Sequence, residues 1–193
     1  MIKVGVTGGI GSGKSIVCRV FETLGIPVYY ADEHSKRLVD SEPGIRTELI
    51  KLFGPEIYTG NTLNRPRFAA VIFTNPGLLE AANAVIHPCV REDFNRWVRQ
   101  YREKKYVIEE AAILFESGGN TLMDKSIAVI SPVEMRIKRI LKRPGMTTGR
   151  IKEIMANQWP DEKKAAIADF VILNDEKCLI LPQILAIHQQ LTA

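Results

Sequence analysis

Short apolar, β-branched runs recur along this chain, and most are followed by a segment with helical spacing of its apolar positions. The first run, Ile2-Lys3-Val4-Gly5-Val6-Thr7, reads as a strand. After a glycine-rich interval, Ile16 to Leu24 reads as a helix, with Gly25 at its C-cap position. Ile26-Pro27-Val28-Tyr29-Tyr30 predicts a short second strand, and Ala31-Asp32 leads into another helix. Residues 42–104 hold no convincing strand. They read as short helices punctuated by Pro43-Gly44, Gly54-Pro55, Gly60-Asn61, Asn75-Pro76-Gly77 and His87-Pro88.

Alternation then resumes. Tyr106-Val107-Ile108 opens a third strand that runs on to about Ile113, and Ser126 to Ile130 forms a fourth. Pro132 starts an amphipathic helix reaching Arg143, Pro144-Gly145 breaks it, and a second helix covers Thr148 to Gln158. Phe170-Val171-Ile172-Leu173 is the fifth strand, before a terminal helix whose start Pro182 leaves open. Strands alternating with helices predict an α/β fold: a five-stranded parallel sheet with helices on both faces. The core is expected at about residues 1–41, 105–135 and 168–193, with a helical insertion at about 42–104 and a helical lid at about 136–167. Ligands of such sheets sit at the carboxyl ends of the strands.

Composition narrows this little: 46% hydrophobic and 25% charged residues are ordinary for a globular chain. No apolar stretch reaches the length of a membrane span, and residues 1–7 read as a strand rather than a signal sequence. Cys18, Cys89 and Cys178 are scattered, without metal-ligand spacing, and are expected to be buried or inert thiols in a reducing cytoplasm. The net charge of +4 suits a polyanionic small molecule, and no nucleic-acid-binding signature accompanies it.

The chemistry begins after the first strand. Gly8-Gly9-Ile10-Gly11-Ser12-Gly13-Lys14-Ser15 satisfies G-x-x-x-x-G-K-S between a predicted strand and a predicted helix, the context of a phosphate-binding loop. Glycines let the backbone turn tightly, so that successive N–H groups cradle phosphate oxygens at the positive end of the helix. Gly8, Gly9, Gly11, Ser12, Gly13, Lys14, Ser15 and Ile16 are the expected ATP-binding residues. Lys14 is expected at the β/γ-phosphates and the Ser15 hydroxyl as a Mg²⁺ ligand. The dinucleotide fingerprint is not met, because its third glycine would fall on Lys14. No Asn-Lys-x-Asp guanine-reading motif is present, the nearest approach being Leu173-Asn174-Asp175, and a large motor ATPase is expected to need more chain. A small kinase remains.

Such a kinase needs an acceptor-side carboxylate and cations over the transferring phosphoryl group. Asp32, after the second strand, is placed for the first role or for an N-cap. Arg139 and Arg143 lie four apart on one helix face before the Pro144-Gly145 break, as a closing lid requires, or else on an ordinary solvated face with Arg136, Lys138 and Lys142.

Over nearly its full length the chain resembles the dephospho-coenzyme A kinase family. The resemblance rests on Val6-Thr7-Gly8-Gly9-Ile10-Gly11-Ser12-Gly13-Lys14-Ser15, Ala31-Asp32, His87-Pro88, Ile113-Leu114-Phe115-Glu116 and Arg139 with Arg143. It extends to Gln158, Asp161-Glu162-Lys163, Ala168-Asp169-Phe170-Val171-Ile172 and Asn174. It implies a P-loop kinase that moves the γ-phosphoryl group of ATP–Mg²⁺ to the ribose 3′-hydroxyl of dephospho-coenzyme A. Asp32 would act on the acceptor proton while Lys14, Arg139 and Arg143 serve the transferring group. Asp32, His87, Glu110 and Phe115 are its implied acceptor-side residues, although His87 also reads as a helix-terminal histidine fixed by Pro88. The chain departs from the family pattern at Tyr30 and Glu110, which replace aspartates, at Ala112, where proline is usual, and at Glu153, where arginine is common. A cytoplasmic monomer or weak homo-oligomer is expected, with ATP and dephospho-coenzyme A as partners and no nucleic acid or membrane. The rival readings are a nucleoside or nucleotide kinase with another acceptor, and a regulatory ATP-binding protein.

Overall fold

The structure, a computed structural model, describes residues 1–73 and 76–193. In chain order its helices and strands are β1 (Ile2–Thr7), α1 (Lys14–Thr23), β2 (Val28–Tyr30), α2 (Ala31–Ser41), α3 (Pro43–Phe53), β3 (Tyr58–Thr59) and β4 (Thr62–Leu63). There follow α4 (Arg65–Phe73), α5 (Pro76–Val98), β5 (Tyr106–Glu110), β6 (Lys125–Ile130), α6 (Val133–Leu141), α7 (Thr148–Ala156), α8 (Asp161–Ile167), β7 (Phe170–Leu173) and α9 (Ile180–Thr192). The chain divides into two compact units, residues 1–30 with 101–193 and residues 31–100.

The first unit is built on a five-stranded sheet of order β2-β5-β1-β6-β7, parallel throughout. Its strands are apolar on both faces, as a covered parallel sheet demands. Val4, Val6, Ile108 and Val129 pack with Val17 and Phe21 of α1 and Ile184 and Ile187 of α9. On the opposite face Gly5 lies against Leu114 and Met123, with no room for a larger residue. From β1 the chain passes to β2 on one side, and after β5 it crosses to β6 on the other. The carboxyl end of β1 is therefore a switch point where a crevice opens.

The second unit is helical around its own core, in which Leu38 and Val39 of α2 join Ile45, Leu49, Ile57 and Ile86. That packing draws α2 into the helical unit. Three sequence expectations are corrected here. Gly60 and Asn61 form the two-residue loop of a hairpin, β3–β4, in a stretch read as strand-free; its strands are two residues long, too short to leave a pattern. His87-Pro88 does not break a helix, because α5 runs through it. Pro88 and Ala84, whose carbonyl loses its helical donor, are both exposed to water, while Ala82, Ile86 and Phe94 are buried on either side. The third strand stops at Glu110 rather than near Ile113, which lies in a turn. The break expected at Asn75-Pro76-Gly77 begins outside the described residues, and α5 starts at Pro76. α8, from Asp161, had no counterpart in the sequence reading.

Candidate active site

The glycine-rich loop leaves the carboxyl end of β1 and runs into the N-terminus of α1, whose first residue is Lys14. Each loop carbonyl from Gly8 to Gly13 accepts a hydrogen bond. Gly8 O accepts from Lys14 Nζ at 3.0 Å and Gly9 O from Ser12 N at 3.1 Å. Ile10 O accepts from Arg136 Nε at 3.0 Å, Gly11 O from Arg139 Nη1 at 3.4 Å and Ser12 O from Asn174 Nδ2 at 2.7 Å. Gly13 O takes the N–H groups of Ile16 and Val17. A peptide's C=O and the N–H of the next residue point in opposite directions, so the carbonyls of Gly8, Ile10, Ser12 and Gly13, held this way, turn the amides of Gly9, Gly11, Gly13 and Lys14 to the other side. With the positive end of α1 beside them, this is an anion-binding concavity. Gly13 requires glycine twice over: its φ is 102°, and a Cβ there would run into the Asn174 amide.

Lys14 is buried, with Nζ 3.6 Å from Glu110 Oε1 at the end of β5. Register places Glu110 beside Val6 of β1 and Tyr30 of β2, so this carboxylate sits at the strand ends next to the loop. Ser15 and Ile16 are exposed on the first turn of α1, the serine hydroxyl open to solvent. Phe115 is 6% exposed and belongs to the interior of the first unit.

Arg139 is heavily engaged. Besides Gly11 O it donates to Ser131 Oγ at 3.0 Å and to Asn174, and it pairs with Glu176 at 3.2 Å. Arg143 lies exposed just beyond α6, its N–H donating to Ile140 O. Arg136, assigned to the same solvated face in the ordinary reading, is 4% exposed and pairs with Asp161 at 3.0 Å. Gln158, between α7 and α8, accepts the Ile10 N–H at 2.8 Å. Glu116, at the end of the segment that follows β5, accepts from Lys164 Nζ and from Trp159 N, both at 2.8 Å. Helical periodicity gave no sign that Arg136 or Lys164 is buried, since both sit among exposed cations. Asn174 and Gln158 were marked by the family resemblance alone.

In the helical unit, Asp32 is the second residue of α2 and is exposed. His87 sits within α5 and is not helix-terminal. Burial and the nearby Arg91 both hold its pKa below the usual histidine value, favouring the neutral ring. Of the thiols, Cys18 is buried, with its pKa pushed up chiefly by burial, Cys89 is half-buried and Cys178 is exposed. Among the described residues, no helix is long and apolar enough to cross a membrane.

Known proteins bear on this arrangement directly. The sequence model of the dephospho-CoA kinase family matches residues 2–179. A dephospho-CoA kinase of Porphyromonas gingivalis is 43% identical over 188 residues, 97% of this chain and 93% of that protein. A solved structure from Thermus thermophilus superposes with a TM-score of 0.88 at 32% identity, covering 100% of this chain and 98% of that one. The dephospho-CoA kinase of Campylobacter jejuni shares the fold, with a TM-score of 0.71 at 22% identity over 98% and 96% of the two chains. A phosphate loop on a parallel sheet is common to many kinases, but a match in sequence across both units is not. This chain belongs to the dephospho-CoA kinase family.

Proposed function

We propose that this chain transfers the γ-phosphoryl group of ATP to the ribose 3′-hydroxyl of dephospho-coenzyme A, forming coenzyme A and ADP. The observation that carries the nucleotide half is the phosphate loop, whose carbonyls are all turned outward and satisfied. Family membership across the helical unit carries the acceptor half.

Gly8 to Ile16 hold the triphosphate, with Lys14 as a point charge at its β/γ oxygens. Asp32 accepts the proton of the 3′-hydroxyl as the oxygen bonds to the γ-phosphorus and the bond to the β-phosphate oxygen breaks. Arg139 exchanges its present acceptors for oxygens of the transferring group, and Arg143, free of the helix end, closes from the same side. His87, held neutral, shapes the acceptor pocket without adding a charge. Phe115, implied on the acceptor side by the family resemblance, is buried within the first unit.

The residues also fit Mg²⁺. Ser15 offers an exposed hydroxyl beside Lys14, and buried Glu110 stands at the neighbouring strand end. Among the described residues no group of three or more His, Cys, Asp or Glu forms a cage, and a phosphate-borne Mg²⁺ that keeps its waters needs none. When bound, the ion neutralises charge on the β- and γ-phosphate oxygens. The same reading has the enzyme act on small molecules in the cytoplasm as a monomer or weak homo-oligomer.

ADP release should be measured with dephospho-coenzyme A beside adenosine, AMP, UMP and dTMP. Selective turnover with dephospho-coenzyme A and a 3′-phosphorylated product is expected. Turnover with a nucleoside monophosphate instead would overturn the acceptor assignment, and ATP binding without transfer to any acceptor would favour a regulatory role. Asp32→Asn should lower kcat by about 10²–10⁴-fold with ATP affinity nearly intact. Near-normal turnover in that variant would remove Asp32 from the mechanism.

A further inference from the structure

Ile10, at the apex of the phosphate loop, has both of its peptides gripped by distant parts of the chain. Its N–H donates to Gln158 Oε1 at 2.8 Å, and its carbonyl accepts from Arg136 Nε at 3.0 Å. The Arg136 guanidinium is aimed by Asp161, 3.0 Å from Nη1, and Asp161 is fixed in turn by the Ser131 N–H at 3.2 Å. It also lies against Gly9, where a Cβ would run into it.

A buried arginine is a poor way to hold a helix in place. Its desolvation consumes most of the attraction to its partner, and apolar residues of similar size do as well or better. What the guanidinium does supply is direction, because its planar fork fixes the orientation of the carbonyl it binds. Were the Ile10–Gly11 peptide to flip, its carbonyl oxygen would turn towards the triphosphate, where it repels, and the Gly11 amide would be lost from that side.

We propose that Arg136 is a positioning residue for the nucleotide. With Asp161 aiming it at the Ile10–Gly11 peptide and Gln158 holding the preceding Gly9–Ile10 peptide, it sets the loop apex for the β- and γ-phosphates. The three side chains come from α6, the segment after α7, and α8, so the loop's shape depends on the stretch expected to form the lid. The proposal extends the ATP-binding half of the reading above and does not depend on the identity of the acceptor.

The test is the affinity for ADP–Mg²⁺ by calorimetry, beside both KM values and the melting temperature, for Arg136→Lys and Gln158→Ala. Arg136→Lys keeps the charge and loses the fork. Gln158→Ala removes one half-buried acceptor and remains informative if the first variant does not fold. Each is expected to weaken ADP binding and raise the KM for ATP by about tenfold, the loss of one good hydrogen bond, with the KM for dephospho-coenzyme A unchanged. A folded variant that binds ADP as tightly as the parent would overturn the proposal. So would a parallel rise in both KM values that tracks a fall in melting temperature, because that is the signature of a general structural role. ADP affinity reports on the proposal even if the enzyme proves inactive towards dephospho-coenzyme A.

Discussion

Lys14 is drawn to Gly8 O at 3.0 Å and to Glu110 at 3.6 Å, so the cation meant for phosphate is held in place by the protein beforehand. Both members of the ion pair are about one-tenth exposed, which makes their coupling a matter of stability as well as function. Lys14→Met should cost roughly 3–5 kcal/mol by taking the cation away from Glu110, and should lower turnover by at least about 100-fold. Adding Glu110→Gln should recover most of the stability in urea titration without restoring turnover. If the double variant is no more stable than the single one, the buried carboxylate is not the source of the cost. The lysine's identity and its place in the loop were legible in eight consecutive residues. The partner was not, since Glu110 arrives on a strand 96 positions later in the chain, through the register of β5 on β1.

Among the elements, the glycine-rich loop is specified from two directions. Its own glycines permit the turn, and α6 and the loop after β7 restrict what replaces them. Gly9 shows the second effect, because its backbone is not in the left-handed region and only the Arg136 guanidinium forbids a side chain. Gly9→Ala should therefore destabilise the fold by about 1–3 kcal/mol through overpacking. It should also weaken ADP binding, as measured by calorimetry; unaltered stability and affinity would show that Arg136 yields freely. Strands β1 and β6 were readable as apolar runs because both faces are covered along most of their length, and β7 because all four of its residues are apolar although Val171 is exposed. The β3–β4 hairpin and α8 were not, since two-residue strands have no period and a seven-residue helix has barely two turns. Pro88 misled for a different reason: proline breaks a helix only where neither water nor packing makes up for the missing hydrogen bond.

At the scale of the whole molecule, the chain carries two separate cores, one on the sheet and one among α2 to α5. Leu49, fully buried in the second, should cost about 2–5 kcal/mol when replaced by alanine. Hydrogen exchange should then quicken across residues 31–100 while amides of the parallel sheet keep their protection, which ADP–Mg²⁺ raises further. Equal loss of protection in both units would show that they unfold as one. The sequence by itself determined the phosphate loop, the alternation of strands and helices, and the family, because each is written in consecutive residues or in motifs whose order survives without coordinates. Tertiary structure alone decided which cations face water and which are buried. Arg136 and Arg139 lie on one short helix, yet Arg136 is buried only because Asp161 and the Ile10 carbonyl, 126 positions away, converge on it. A charge can leave water only where its partners are assembled in space, and periodicity along a helix carries no information about partners from elsewhere in the chain.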